Sequence, residues 1–207
     1  MKEGKISEYL LRKTTLRKLA TIEGFLSFKE AHALYRIAKS LSSGSKVVEI
    51  GSWKGKSTYC IAKGLSHGSK IYAIDPFNAI GDAEAQVIYE KQKGAQPLID
   101  QFWNNMASCG VTDKIIPCIG YAEEYKDFIT QASFIFIDGD HSIPGCEKDF
   151  LMYQDKLSNE KIIAFHDYYP ERDDLGPTYV IKKYLLNSKN WEKVDIADSL
   201  AIFKRIN

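Results

Sequence analysis

The strongest constraint on this chain is an alternation repeated five times. Short apolar, β-branched runs at 46–50, 70–74, 114–119, 133–137 and 161–165 read as buried strands. Segments of helical period at 57–65, 98–107, 122–129, 144–157 and 179–186 separate or follow them. Each crossover is long enough to return the chain in parallel, so the pattern predicts an α/β fold on a parallel sheet. The end breaks the pattern. Residues 192–196 and 200–205, joined by Ala197-Asp198-Ser199, read as an antiparallel hairpin on the sheet edge. The expectation is an α/β domain on a mostly parallel sheet with an antiparallel C-terminal hairpin.

Ahead of the first strand, Ser27-Phe28-Lys29-Glu30 is a capping box opening a helix through Ala31, Leu34, Tyr35, Ala38 and Leu41. Residues 1–26 read as a basic N-terminal helical extension, and 27–207 as a single domain. Segment 76–96 lacks firm periodicity and reads as a lid or substrate loop.

Composition removes several classes. Lys plus Arg number 28 against 27 Asp plus Glu, a net charge of +1, which lacks the basic excess of a nucleic-acid binder. The longest apolar runs are far short of the roughly 20 residues a membrane span needs. No apolar stretch of signal-peptide length opens the chain, so a cytoplasmic location is expected. Cys60, Cys109, Cys118 and Cys146 show neither zinc nor redox spacing and read as reduced thiols. His32 and His67 have no neighbours that suggest a role. A small-molecule partner fits best, with homo-oligomerisation left open.

Ligands of open α/β sheets bind beyond the carboxyl ends of the strands. Polar and glycine residues follow all five strands here: Glu49-Ile50-Gly51-Ser52-Trp53-Lys54-Gly55-Lys56-Ser57, Asp75-Pro76-Phe77, Gly120-Tyr121-Ala122-Glu123, Asp138-Gly139-Asp140-His141 and His166-Asp167-Tyr168-Tyr169. The first turn is neither a dinucleotide fingerprint nor a phosphate-binding P-loop. Gly51 and Gly55, with Glu49 two residues upstream, suit a ligand without phosphates. Asp75 can accept ribose hydroxyls. Together they describe adenosine held by its ribose.

This set, E-I-G-S-W-K-G-K-S-T, A-I-D-P-F, F-I-F-I-D-G-D-H-S and I-I-A-F-H-D-Y, resembles the class I S-adenosylmethionine-dependent methyltransferases. Within them it is similar to a small bacterial group related to sugar and antibiotic O-methyltransferases. The resemblance implies S-adenosylmethionine as cofactor and a Rossmann-like, doubly wound sheet of seven strands in the order 3-2-1-4-5-7-6. It places Glu49, Gly51 and Ser52 on the methionine part, Asp75 on the ribose, Pro76 and Phe77 beside the adenine, and Tyr121 and Ala122 against it. Trp53, Gly55, Ser57 and Asp138 complete the cofactor set. Trp53 stands where many members have a second glycine.

Transfer to a hydroxyl requires removal of its proton. Asp138, His141 and His166 are the candidate catalytic residues, with His141 as the side-chain base. Asp138, His166 and Asp167 are candidate ligands for a divalent cation that would acidify the hydroxyl, because neighbouring strand ends lie about 4.8 Å apart. Oxygen donors favour magnesium or manganese, and histidine moves the preference toward manganese, iron or zinc. Metal-dependent relatives of the catechol O-methyltransferase type have an Asp-Asn pair where this chain has His166-Asp167. The expected activity is O-methylation of a small hydroxylated acceptor such as a sugar or glycoside. The competing readings are a non-catalytic cofactor-binding protein, an NAD-dependent oxidoreductase or epimerase, and a mononuclear iron oxygenase.

Overall fold

A computed structural model describes residues 10–11, 13–80 and 83–206. Its sheet has seven strands in the order β3-β2-β1-β4-β5-β7-β6, as expected. They are β1 (Lys46–Ile50), β2 (Lys70–Asp75), β3 (Ile115–Ile119), β4 (Ala132–Ile137), β5 (Leu157–Phe165), β6 (Trp191–Ala197) and β7 (Leu200–Arg205). The first five pair in parallel, and β7 runs antiparallel between β5 and β6. The sequence order turns back between β1 and β4, which makes their ends the switch point where a doubly wound sheet opens a crevice.

The helices are α1 (Phe28–Ser40), α2 (Lys56–Gly64), α3 (Ala83–Lys93), α4 (Leu98–Cys109), α5 (Ala122–Tyr125), α6 (Ile143–Tyr153) and α7 (Gly176–Val180). The capping box of α1 forms as read: Ser27 accepts from the Glu30 amide while the Glu30 carboxylate accepts from the Ser27 amide. Every residue of β4 is buried. Phe134 and Phe136 face a cluster with α1, α2 and α4, and Ile135 and Ile137 face one with α6. The sheet is thus covered on both sides, as continuous apolar strands require. Among the described residues no helix is long and apolar enough to cross a membrane.

Several boundaries differ from the periodicity. The helix expected over 122–129 stops at Tyr125, and the one expected to 157 ends at Tyr153 in a 3-10 turn. β5 starts at Leu157 and shifts register between its Ala132 and Phe134 pairings, an irregularity that alternation does not announce. The last helix begins at Gly176 with Pro177 in its first turn and continues as a π turn over Ile181–Leu185. Segment 76–96, read as a loop, contains α3. Its period is weak because none of its described side chains is buried. Of the N-terminal extension, residues 1–9 and 12 lie outside the described residues. Leu16, Leu19, Ile22 and Leu26 join the α1-side cluster.

Phe134 is fully enclosed at the centre of the sheet. Phe134→Ala is expected to lower unfolding stability by about 3–5 kcal/mol, through lost transfer energy and the cavity left behind. Urea denaturation monitored by circular dichroism measures it.

Candidate active site

The sheet's main-chain ladder runs one residue past its strands. Gly120 donates to the Asp75 carbonyl, Gly51 to Ile74, Asp138 to Ile50 and His166 to Ile137, at 2.8–3.1 Å. Four functional positions are therefore set in a row by backbone bonds. They floor an open cleft of about 1610 Å³. Of the expected cofactor set, Gly51, Ser52, Trp53, Ser57, Asp75, Pro76, Tyr121, Ala122 and Asp138 line it. Glu49, Gly55 and Phe77 are not in the lining. Phe77 packs on Phe102 at 5.3 Å, and a Cβ on Gly55 would stand 2.5 Å from Met106.

Glu49 is fully buried beneath the first turn and accepts from Ser52 Oγ at 2.9 Å and Thr58 Oγ1 at 2.5 Å. It shapes the turn from behind. Gly51 has φ +88°, and a Cβ there would lie 2.1 Å from the Asp138 carbonyl. The clearance read as room for a ligand is first required by the end of β4. Asp75 Oδ2 accepts from the Ser52 and Trp53 amides, and Oδ1 from the Phe77 amide. A carboxylate offers about four lone-pair sites, so Asp75 keeps one for a ribose hydroxyl. Burial raises its pKa against those three amides.

The acceptor end gathers residues from three elements. His166 Nδ1 lies 3.2 Å from both Asp138 Oδ1 and Asp167 Oδ2, and its Nε2 lies 3.4 Å from Glu30 Oε2. Burial opposes charge on this ring, but three carboxylates outweigh it and push its pKa far up. The same attraction outweighs burial at Asp138 and Glu30 and holds each at about 2. His141 Nε2 stands 3.3 Å from Asp167 and 3.6 Å from Asp138. These carboxylates overcome burial and raise its pKa.

Among the described residues, Asp138, His141 and Asp167 form the group whose ligand atoms all lie within 4.8 Å of one another. The expected cation ligand His166 is replaced in this group by His141. His166 stands against three carboxylates, Asp138, Asp167 and Glu30, and their charges favour its protonated form. Asp140 is occupied as a turn acceptor for the Ser142 amide.

Glu30 was legible only as a helix cap. Its exposure of 3% and its bonds to the Ser199 amide and hydroxyl come from the distant β6–β7 turn. Backbone strain marks the site independently. Trp53, Phe77, Ala79, Asp167 and Asp198 have φ of +48° to +58° and sit on or beside the cleft, where such conformations concentrate at functional positions.

Burial raises the Glu49 pKa to about 7. Folding therefore takes up a proton between about pH 4.5 and pH 7, and the wild-type chain loses stability as pH rises through that window. Glu49→Gln keeps an acceptor for Ser52 and Thr58 without the titration. Its stability relative to wild type is expected to rise by about 3 kcal/mol from pH 4.5 to pH 7, at 1.36 kcal/mol per pKa unit. Denaturation at both pH values checks this, and a pH-independent difference contradicts it.

Residues 48–168 match a protein family described as a methyltransferase domain. Among solved structures, cofactor-bound Rv0187 from MTB superposes with a TM-score of 0.67 at 13% identity, covering 97% of this chain and 95% of that one. An O-methyltransferase from Bacillus cereus in complex with SAH gives 0.62 at 14% identity, over 96% and 94%. A putative rRNA-methylase from Clostridium thermocellum gives 0.61 at 12%, over 88% and 100%. At these identities the superpositions establish the fold. The family match spans more than half of the chain, from the first strand through both Asp- and His-bearing strand ends, and the chain belongs to the methyltransferase-domain family.

Proposed function

We propose that this methyltransferase moves the methyl group of S-adenosylmethionine to a hydroxyl of a small acceptor such as a sugar or glycoside. One observation carries the reading. A single cleft holds a ribose-competent carboxylate, Asp75, at one end and a convergent acid–histidine group, Asp138–His141–Asp167, at the other. The fit to the cofactor rests on charge as well. Among the described residues, nine acidic side chains line the cleft against Lys56, Lys148, Arg172 and two histidines, a lining that suits a sulfonium and repels a phosphate backbone. The four unpaired cysteines accord with a cytoplasmic setting. Residues 27–207 form the catalytic domain in this reading.

When bound, S-adenosylmethionine supplies a methyl carbon on a positively charged sulfur. The chain's residues then have two tasks, alignment and proton removal. His141 turns Nε2 toward Asp138 and Asp167; its other ring nitrogen accepts the hydroxyl proton, and the two carboxylates stabilise the resulting imidazolium. Asp75 and the turn at Gly51–Trp53 would hold S-adenosylmethionine, which would supply the methyl group to the acceptor oxygen and leave as S-adenosylhomocysteine. Such a base contributes roughly 10²–10⁴-fold.

The spacing of the same three groups favours a second reading. Asp138, His141 and Asp167 would hold a divalent cation such as magnesium or manganese, which would acidify the hydroxyl. A neutral imidazole has one lone pair, so His141 cannot serve as base and ligand together.

The tests separate these readings. Calorimetric titration of S-adenosylmethionine should show binding that Asp75→Ala weakens about tenfold or more, given the loss of a charge-assisted hydrogen bond. No binding by wild type sinks the assignment. With His141 as base, turnover survives EDTA and rises with pH through a midpoint above 6.5, and His141→Gln lowers kcat by about 10²–10⁴-fold. Loss of turnover in EDTA with recovery on Mg²⁺ or Mn²⁺ assigns His141 as a ligand instead.

A further inference from the structure

The turn after β1 has two sides. On one side the Ser52 and Trp53 amides are tied to Asp75. On the other, the next side chain reaches α3. Lys54 Nζ donates to the Gln92 carbonyl at 2.5 Å and to Glu23 Oε2 at 2.6 Å, and its side chain is only 3% exposed. The Trp53 ring lies 4.9 Å from that of Tyr89, and Phe25 lies 6.1 Å from Tyr89 on its other flank. One dipeptide therefore touches both the ribose acid and the helix whose Ile88 and Tyr89 form a wall of the cleft.

Helix α3 depends on these ties. None of its described side chains is buried. An isolated helix of eleven residues is marginal in water. Its C-terminal carbonyls, which a helix leaves without internal partners, are taken by Lys54 at Gln92 and by Gln101 at Lys93. A buried ammonium is costly to keep, and an apolar side chain of the same length would fill the space as well. The charge is needed where it meets the carbonyl of α3.

We propose that Lys54 is a positioning residue that couples cofactor binding at Asp75 to the placement of α3, so that the apolar wall of Phe25, Ile88 and Tyr89 is set for the acceptor once the cofactor is bound. A ribose hydroxyl on Asp75 fixes the Trp53–Lys54 turn, and that turn fixes the helix. This inference rests on the cofactor assignment above.

The test needs no acceptor. Hydrogen exchange over 86–93 is followed by mass spectrometry with and without S-adenosylhomocysteine, and affinity is measured separately by calorimetry. In wild type, saturation with S-adenosylhomocysteine should slow exchange in α3 by about tenfold, a local stabilisation of a low-stability element. Lys54→Met should bind S-adenosylhomocysteine within about threefold of wild type, since Lys54 is absent from the cleft lining, while the protection of α3 falls below about twofold. Tyr89→Ala removes the stacking contact without disturbing a buried charge, and should reduce the protection partway even if Lys54→Met fails to fold. Ligand-induced protection that is absent in wild type, or undiminished in both variants, overturns the coupling while leaving cofactor binding intact. Failure of wild type to bind S-adenosylhomocysteine overturns the cofactor assignment and the coupling together.

Discussion

Four main-chain hydrogen bonds beyond the strand ends organise everything else in this protein. Strands β1, β3, β4 and β5 each hand the first following residue to the carbonyl of a neighbour, so Gly51, Gly120, Asp138 and His166 are aligned before any side chain contributes. Gly51 must then lack a side chain, because the Asp138 carbonyl occupies the space. Functional groups carried by a hydrogen-bonded ladder hold their spacing more tightly than groups on free loops. The β1–β4 reversal places the closest of these approaches at the switch point of the sheet.

On that frame the charges are arranged around one buried ring. His166 meets carboxylates on both nitrogens, and each partner comes from a different part of the chain: Glu30 from α1, Asp138 from the end of β4 and Asp167 from beside the ring itself. A buried ion survives only with such partners. Glu30 is also bound to Ser199 in the β6–β7 turn, so the antiparallel hairpin has a purpose beyond closing the sheet edge. It supports the residue that supports His166. His141 shares Asp138 and Asp167 but is the more open of the two rings, with its side chain 19% exposed against 5% for His166.

The sheet was legible because buried parallel strands leave an unmistakable trace. The run 46–50 coincides with β1, and all seven strands occur in the expected order. The strand-end residues were legible for the same reason, since a strand's end fixes where the next side chains go. What sequence could not give is the assignment between neighbours. His166 and His141 follow adjacent strands, and only the side-chain packing shows which one is enclosed by carboxylates and which one joins Asp138 and Asp167 as a group of donors. Glu30 was hidden because its local pattern, a capping box, already accounts for it. Helix α3 was hidden because it buries no stripe, and periodicity is a record of burial.

Asp75 shows how support and function share one group. Trp53 and Phe77 both adopt left-handed backbones, each costing of order 1–3 kcal/mol. Both direct their amides at the same carboxylate. Without it, two strained residues would lose the partners that offset the strain, and the turn carrying Ser52 would lose its anchor. Asp75 thus shapes the turn and keeps one acceptor site beyond it. A residue in that position cannot be exchanged for a neutral one without changing the turn. The strain at Trp53 and Phe77 collects here because one carboxylate draws both amides inward.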